Sequence, residues 1–437
     1  MAVDFGASSI RVCRVELGDA PPKLAVVHRY EHGPVPDAHG HLRWDWPRLV
    51  AEMRRGLEIA LDAGPVASIG IDTWGVDYGL LDAAGHLVEI PLSYRDERTG
   101  EYRGVAERVG EKRLYEIAGL QLLPFNTIFQ LAVHDRGALD RAEHVVMLPE
   151  LLAHHLTGEI TAERTSAGTT GLLDLRTGTW SGELCDAIGL NPALLPEIRP
   201  AGTSVGRWNG IPLHLVGGHD TASAVVAGAA DGEAFASSGT WMLVGREQAR
   251  PDTTERARRS GFTNEQGAFG NIRFLRNSAG WWVLERCRRS WSSVDLLTLL
   301  REASAVADTS DDHLIDATDE RFLAPADMEA EVRAAAGLGP DADRATVVRC
   351  IVDSMAATAV TIISELGSVG GIRLFGGGAR TRLYVDALRA RTELPITTGP
   401  VEATALGNAL AQGIALGLYD SLMNARKTLD TSVGVAS

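Results

Sequence analysis

Asp4-Phe5-Gly6-Ala7-Ser8-Ser9, near the start of the chain, and Ala236-Ser237-Ser238-Gly239-Thr240, halfway along it, are two Gly/Ser turns entered from apolar segments. Between them, Val216-Gly217-Gly218-His219-Asp220-Thr221 sets a single aspartate at the end of another apolar run. Small residues let backbone N–H groups approach phosphate oxygens, and hydroxyls add donors at the same point. An Asp-x-Gly turn alone caps a strand without any function. The pairing of Ser8-Ser9 with a second Ser-Ser-Gly-Thr turn favours phosphate binding by hairpins from two halves of the chain. No G-x-x-x-x-G-K-[ST] loop is present and no dinucleotide fingerprint follows a strand, so P-loop and Rossmann readings are set aside.

Outward from the first turn, strands are expected at 10–16 and 24–30 and a helix over 46–61. The apolar face of that helix is Trp46, Leu49, Val50, Met53, Leu57 and Leu61, with Ile59 off it. A buried strand over 66–72 leads into Asp72-Thr73-Trp74-Gly75-Val76-Asp77. The segments 78–82 and 87–90 read as a hairpin across Ala84-Gly85. Helices follow over 114–117, 128–134 and 148–156, the last closed by Gly158. A strand over 213–216 and a small-residue helix over 221–229 carry Asp220. After Asp231-Gly232 the plan restarts: a strand into the second turn, a strand over 241–245, an exposed charged excursion over 246–260 and an irregular insertion over 304–345. A long apolar helix over 347–366, a strand ending in Gly376-Gly377-Gly378, a helix to Glu393, a strand over 395–398 and a helix over 404–418 complete it, with fraying after Thr428. Both halves open with strand, turn, strand, yet share no repeat of fixed period. The economical reading is an α/β chain of two related domains, residues 1–230 and 231–437, with the active site in the cleft between them.

At 437 residues the chain exceeds one ordinary core, and 45% hydrophobic with 23% charged residues is normal for a globular protein. A formal charge of −15 argues against a nucleic-acid surface. Four scattered cysteines suggest neither a zinc site nor a disulfide framework and fit a reducing cytoplasm. No apolar stretch of membrane-spanning length is expected. Met1 leaves no room for a signal peptide, so the first strand is short or begins upstream. The expected partners are small molecules, without nucleic acid or membrane, for a monomer or small homo-oligomer.

Each candidate residue has a plain structural alternative. Asp220 before Thr-Ala-Ser-Ala reads as a helix N-cap. A carboxylate held ionised at a helix N-terminus also suits a base that takes a hydroxyl proton during phosphoryl transfer. His219 is expected to donate a hydrogen bond to substrate. Trp74 beside Gly75 suits sugar stacking with Asp77 accepting hydroxyls; a buried tryptophan with solvated aspartates is the alternative and the stronger reading of that segment alone. Asp4, acidic at the mouth of the first turn, is a candidate to orient Mg²⁺ through water.

Taken together, these residues resemble the FGGY carbohydrate kinases over nearly the whole chain. The resemblance rests on Val3-Asp4-Phe5-Gly6-Ala7-Ser8-Ser9, Gly70-Ile71-Asp72-Thr73-Trp74-Gly75-Val76-Asp77, Tyr94-Arg95-Asp96, Phe125-Asn126-Thr127 and Met147-Leu148-Pro149-Glu150. Gly218-His219-Asp220-Thr221-Ala222-Ser223-Ala224-Val225 is its most diagnostic part. The second half adds Ser237-Ser238-Gly239-Thr240-Trp241, Thr263-Asn264-Glu265, Phe322-Leu323-Ala324-Pro325 and Gly399-Pro400-Val401-Glu402-Ala403-Thr404. The resemblance, nearest to the members acting on L-rhamnulose, implies a two-domain actin/hexokinase-like (ribonuclease H-like) α/β fold. It implies transfer of a phosphoryl group from ATP, with Mg²⁺, to the 1-hydroxyl of L-rhamnulose. It implies Asp220 as base, Gly75, His219, Asp220 and Thr221 at the sugar, and Ala7, Ser8, Ser9, Ile10, Arg11, Thr240, Asn277, Glu285 and Gly377 at ATP. Three residues depart from the family pattern: Ile10 where a glycine is usual, Glu285 in place of glutamine, and Thr381 in place of asparagine. Glu285 is expected to bring an extra negative charge to the nucleotide. The rival readings are a kinase for L-fuculose or xylulose, a non-catalytic sugar-binding regulator, and an actin-like or chaperone ATPase. Retention of Asp220 and the lack of a basic helix-turn-helix weigh against the regulator; Trp74-Gly75 and His219 have no evident use in the ATPase.

Overall fold

Gly6 and Ser9 are register partners, so Ala7-Ser8 is the two-residue link of a hairpin between the strands Ala2–Gly6 and Ser9–Glu16. The computed structural model describes residues 1–292, 294–323 and 325–430, which leaves Ala324 of the Phe322–Pro325 motif and the tail from 431 outside them. The helix Leu422–Asp430 continues past the point where fraying was expected. Contacts divide the chain into two units. Among the described residues, one comprises Met1–Ala227, Gln248–Phe274 and Glu402–Asp430; the other comprises Gly228–Glu247 and Leu275–Val401.

In the first unit the hairpin extends into a four-stranded sheet. Lys23–Glu31 pairs antiparallel with Ser9–Glu16, and Gly70–Thr73 pairs parallel with Ala2–Gly6. The helix Trp46–Asp62 covers the outer strands of this sheet, burying Trp46, Leu49, Val50, Met53 and Leu57 while Ile59 stays exposed. Its start is capped by the Asp45 side chain, which accepts from Arg48 N–H. The helices Leu148–Thr157 and Ala403–Ala415 pack on the parallel pair. Asp45, Gly158 and the apolar spacing are local signals, which is why these elements read correctly from sequence.

The hairpin expected between 78–82 and 87–90 forms, but it is short: Asp82 N–H donates to the His86 carbonyl at 2.8 Å and Val88 N–H to the Leu80 carbonyl at 2.9 Å. Asp82 Oδ1 accepts from Ala84 and His86 N–H, and a single bridge joins Leu81 to Leu87. The full ladder of the strand Tyr78–Leu81 is with His144–Met147, in register Tyr78 to Met147. Val145, Val146 and Met147 are buried there, whereas Ile90 is exposed, so the more apolar segment takes the interior edge.

The second unit repeats the plan. Ala234–Ser238 turns back into Met242–Gln248 and pairs parallel with Ile372–Phe375, which pairs parallel with Ile396–Thr398. Its longest helix, Arg344–Glu365, corrects the expectation that no membrane-length apolar stretch exists. Its most apolar window has mean hydropathy 1.6 and suffices to cross a bilayer by length and composition, but 78% of that window is buried within the protein. Helices Gly280–Ser290, Leu296–Ala303, Met328–Ala336 and Arg382–Arg389 pack on it. The 246–260 excursion is a continuation of the strand to Gln248 and a short helix Glu255–Arg259.

Candidate active site

Strand register in the first unit lines up Asp72, Asp4 and Arg11 across three neighbouring strands, since Asp4 pairs with Asp72 on one side and Arg11 on the other. The Arg11 guanidinium lies 2.7 Å from Asp4 Oδ2 and also pairs with Glu402. Asp72 Oδ2 accepts from Asn408 Nδ2 at 2.6 Å, and Asn408 Oδ1 accepts from Gln412 at 2.6 Å. Both aspartates are buried, and Oδ1 of each has no hydrogen-bond partner among the described residues. Burial pushes the Asp4 carboxyl up to about 6, against the pull of Arg11, and Asp220 adds to the rise. Asp72 is raised well above the usual range by burial first, then by Asp4, with Asp220 contributing. The three carboxylates therefore share one electrostatic neighbourhood, which stores repulsion that a cation would relieve. Among the described residues no group of three or more His, Cys, Asp or Glu forms a direct metal cage. Unpartnered acceptors without a cage suit Mg²⁺ held through its own waters.

The His219-Asp220 segment is fixed from two directions. Thr73 N–H donates to the Gly218 carbonyl at 2.9 Å and bridges in parallel to His219, extending the strand that carries Asp72. From below, Glu163 Oε2 accepts from Gly218 N–H (3.0 Å), Thr165 N–H (2.7 Å) and Ser166 N–H (3.2 Å), while Thr165 Oγ1 accepts from His219 N–H at 3.1 Å. A Cβ on Gly218 would stand 2.4 Å from Ser166 Oγ, so this approach requires glycine. Burial pushes Glu163 up to about 6 despite those donors. It pushes Glu150, whose Oε1 accepts from Glu163 N–H at 3.1 Å, well above its ordinary range, with the Glu163 charge adding to it.

Asp220 is the first residue of the helix Asp220–Gly228, and the His219 carbonyl receives Ala222 and Ser223 N–H. The capping alternative is thus met by His219, while Asp220 Oδ1 accepts only from Thr221 N–H (2.5 Å) and Thr221 Oγ1 (3.1 Å). Its side chain is 25% exposed, against 1% for Asp4. Of the three carboxylates in the cluster, it is the one open to an incoming molecule. His219 Nε2 lies 3.5 Å from Asp220 Oδ1.

In the 72–77 segment Trp74 is buried, as the structural alternative has it, rather than an open stacking face, but Asp72 and Asp77 are buried with it rather than solvated. Asp77 Oδ2 accepts from Trp44 Nε1 (2.7 Å), Trp74 Nε1 (2.9 Å) and Tyr94 N–H (3.2 Å), so it braces the two indoles, whose rings lie 4.2 Å apart. Burial still raises Asp77 to about 6. Gly75 faces His219: a Cβ there would lie 3.3 Å from His219 Cδ2 and 3.1 Å from Thr169 Cγ2. Val76 has φ 68°, a strained value for a β-branched residue. It is clamped by Thr127 Oγ1 (2.7 Å) and Gln130 Nε2 (3.1 Å) donating to its carbonyl, and by Thr169 Oγ1 accepting its N–H at 3.2 Å. Sequence reading quoted Thr127 and Glu150 within motifs but missed their work, and it missed Trp44, Gln130, Glu163, Thr169 and Asn408 entirely.

The residues expected at ATP divide between the units. In the first, Ser8 is exposed at the hairpin tip, the Ala7 carbonyl accepts from Arg95 at 3.0 Å, and the Ser8 carbonyl accepts from His32 N–H at 3.0 Å. Ile10 is wholly buried as the strand partner of Phe5, and it is not among the residues of positive φ, so no glycine is needed there. Arg11 lies within the strand on Asp4 and Glu402 rather than in the turn. In the second unit, Thr240 and Gly377 are exposed in turns, and Asn277 is half-buried near the end of the strand Ile272–Ser278. Ser238 Oγ accepts from Trp281 Nε1 at 3.0 Å, and Thr381 occupies the N-cap of Arg382–Arg389 without a side-chain cap bond. Glu285 pairs with Arg288 at 2.8 Å and Arg289 at 3.4 Å; burial pushes its carboxyl up, but the arginines outweigh it and hold it below the ordinary range. The extra negative charge expected from Glu285 is therefore countered locally.

The model of the N-terminal domain of the FGGY family of carbohydrate kinases matches residues 1–237, and that of the C-terminal domain matches residues 234–416. A rhamnulokinase of Klebsiella pneumoniae (strain 342) is 36% identical over 446 residues, covering 97% of this chain and 90% of that protein. A ligand-bound xylulose kinase from Lactobacillus acidophilus superposes with TM-score 0.82 at 15% identity, over 100% of this chain and 93% of the other. Plasmodium falciparum glycerol kinase with ADP gives TM-score 0.76 at 16% identity, over 98% and 92%.

Proposed function

The chain belongs to the FGGY family of carbohydrate kinases, with that family's two-domain α/β fold, and from that premise we propose that it phosphorylates L-rhamnulose at its 1-hydroxyl. Identity of 36% to a rhamnulokinase over nearly the full length supports this substrate above L-fuculose or xylulose. We assign the sugar to residues 1–230, with Gly75, His219 and Asp220 against it, and the nucleotide to the Ala7–Ser9 turn together with Thr240, Asn277 and Gly377 of residues 231–437. Ile10 contributes backbone only. Arg11 tunes Asp4, Asp77 orients Trp44 and Trp74, and Thr221 holds Asp220.

In the reaction, Asp220 takes the proton of the primary hydroxyl as its oxygen attacks the γ-phosphorus in line, and the bond to the β-phosphate oxygen breaks to release ADP. Mg²⁺, when bound, neutralises developing charge on the phosphates. Asp4, buried with a free Oδ1, would hold it through water, and Asp72 would add a second negative group behind it. The observation carrying this reading is Asp220 itself: a half-open carboxylate in a helix's first turn, its charge felt by two buried aspartates.

The test is ADP release with MgATP over L-rhamnulose, L-fuculose and xylulose. The highest kcat/KM is expected for L-rhamnulose. Asp220→Asn is expected to lower kcat by about 10²- to 10⁴-fold while calorimetry still detects the sugar. Full turnover by that variant would reject Asp220 as base, and preference for another ketose would reject the substrate.

A further inference from the structure

We propose that Arg273 is a positioning residue that locks His219 in the tautomer carrying its proton on Nε2, so that a donor always stands beside the Asp220 carboxylate. The inference deepens the kinase reading above and rests on it for the catalytic consequence, though not for the tautomer. Arg273 is wholly buried in the strand Ile272–Ser278, and Glu265 is buried in Thr263–Gln266. A guanidinium has donors only. Arg273 Nε donates to the Gln266 carbonyl at 3.0 Å, which fixes the plane of the group. Its NH2 then lies 2.9 Å from Glu265 Oε2 and 3.1 Å from His219 Nδ1.

Two tautomers compete at His219. Nδ1 is also 3.4 Å from Glu265 Oε2, and a proton on Nδ1 would suit that carboxylate. The shorter contact is to Arg273, whose N–H would collide with such a proton and which already meets the Glu265 charge. Nδ1 must therefore present its lone pair, and a neutral imidazole so bonded carries its hydrogen on Nε2. Nε2 faces Asp220 Oδ1 at 3.5 Å. A hydroxyl between the two groups is oriented without ambiguity: its oxygen accepts from Nε2–H and its proton points to Asp220. The other tautomer would offer a lone pair at Nε2, and a hydroxyl could then give its proton to the wrong group.

The experiment is two-bond ¹H–¹⁵N correlation of the imidazoles in the full chain labelled with ¹⁵N-histidine, the His219 pattern being identified by its loss in His219→Gln. The expected wild-type pattern is Nδ1 unprotonated and Nε2 protonated. In Arg273→Met the proton is expected to move to Nδ1, toward Glu265, and kcat with L-rhamnulose and MgATP to fall about a hundredfold. KM for ATP should stay within about twofold, and Arg273→Lys should restore the Nε2–H pattern. Should Arg273→Met not fold, Glu265→Gln serves, because it removes the competing negative charge while leaving the Arg273 donor, and should leave the tautomer unchanged. A wild-type Nδ1–H or imidazolium pattern overturns the inference, as does a folded Arg273→Met with unaltered tautomer or a switch in Glu265→Gln. If wild type turns over no ketose, the kinase reading fails on its own, and the spectrum still decides the tautomer.

Discussion

Replacing Asp77 by Asn tests the electrostatic account of the first unit at a point away from the reacting groups. Asp77 is buried, and its carboxyl is raised from an ordinary 3.8 to about 6, chiefly by burial, against the pull of the two indole donors. A folded-state value above the unfolded one means that the native protein binds the proton more tightly. Its contribution to stability is fully present below pH 3.8 and is lost as the pH rises through about 6. At about 1.4 kcal/mol per tenfold change in proton affinity, the loss between those limits is about 3 kcal/mol. Asparagine keeps an acceptor oxygen for Trp44 Nε1, Trp74 Nε1 and Tyr94 N–H but cannot ionise. Its amide N–H₂ must then face Gln130 Nε2, which lies 3.4 Å from Asp77 Oδ1, a donor–donor conflict that costs about 1–3 kcal/mol at every pH. Urea unfolding followed by tryptophan fluorescence at half-unit steps from pH 4 to pH 8 should therefore show two things. The variant should be less stable at pH 4 and should gain about 2–3 kcal/mol on the wild type toward pH 8, so that it equals or exceeds the wild type there. A difference independent of pH would refute the reasoning, because Asp77 would then be ionised throughout or exposed.

Three further outcomes follow from the same geometry. Gly75→Ala places a methyl 3.3 Å from His219 Cδ2 and 3.1 Å from Thr169 Cγ2, so kcat/KM for the sugar should fall by about tenfold or more with little change in melting temperature; unchanged kinetics would separate Gly75 from the site. Val76→Gly removes strain of about 1–2 kcal/mol and adds a backbone entropy cost of about 0.5–1 kcal/mol, so net stability by urea unfolding should rise by no more than about 1.5 kcal/mol. The sugar KM should rise as the clamp from Thr127, Gln130 and Thr169 slackens. Asn408→Ala strips the buried Asp72 of its donor and should destabilise the chain by about 1–3 kcal/mol in the same assay.

The two hairpins and the helix around Asp220 were legible because their signals are local: small residues at tight links and apolar runs that lead into them. The row Asp72–Asp4–Arg11 was not. Asp4 and Arg11 meet across a short hairpin, but Asp72 joins them only through a parallel pairing that a crossover of some sixty residues delivers, and nothing local sets that register. Burial was misjudged for the same reason. Asp72, Asp77 and Glu163 look like surface charges in sequence, since a carboxylate in isolation costs too much to bury. Each is buried because donors converge on it, and for each at least one comes from far along the chain: Asn408 on Asp72, Trp44 on Asp77 beside the nearby Trp74, and the Gly218 amide on Glu163 beside the nearby Thr165.

Several residues that break local rules are gathered around Asp220. A valine at φ 68°, an arginine with no exposure and several aspartates and glutamates under the surface are each unfavourable alone. In the first unit these constrain the segments 72–77, 163–166 and 218–220, while other buried carboxylates, Glu52 with His28 and Arg48 and Asp96 with the Leu42 and Arg98 amides, brace the surrounding framework. A fold selected for stability alone would place apolar side chains there at no loss, as it does along the neighbouring helix Leu148–Thr157, where Leu148, Leu151 and Leu152 fill the core. The same helix carries Glu150 at its first turn, bonded to Glu163 N–H, and that one polar insertion lies where the chain must reach the Gly218 segment. Part of the polar burial in this unit therefore follows the Asp220 loop. The freedom removed from His219 by Arg273 and from Gly218 by Glu163 is freedom that an in-line transfer to a hydroxyl cannot tolerate.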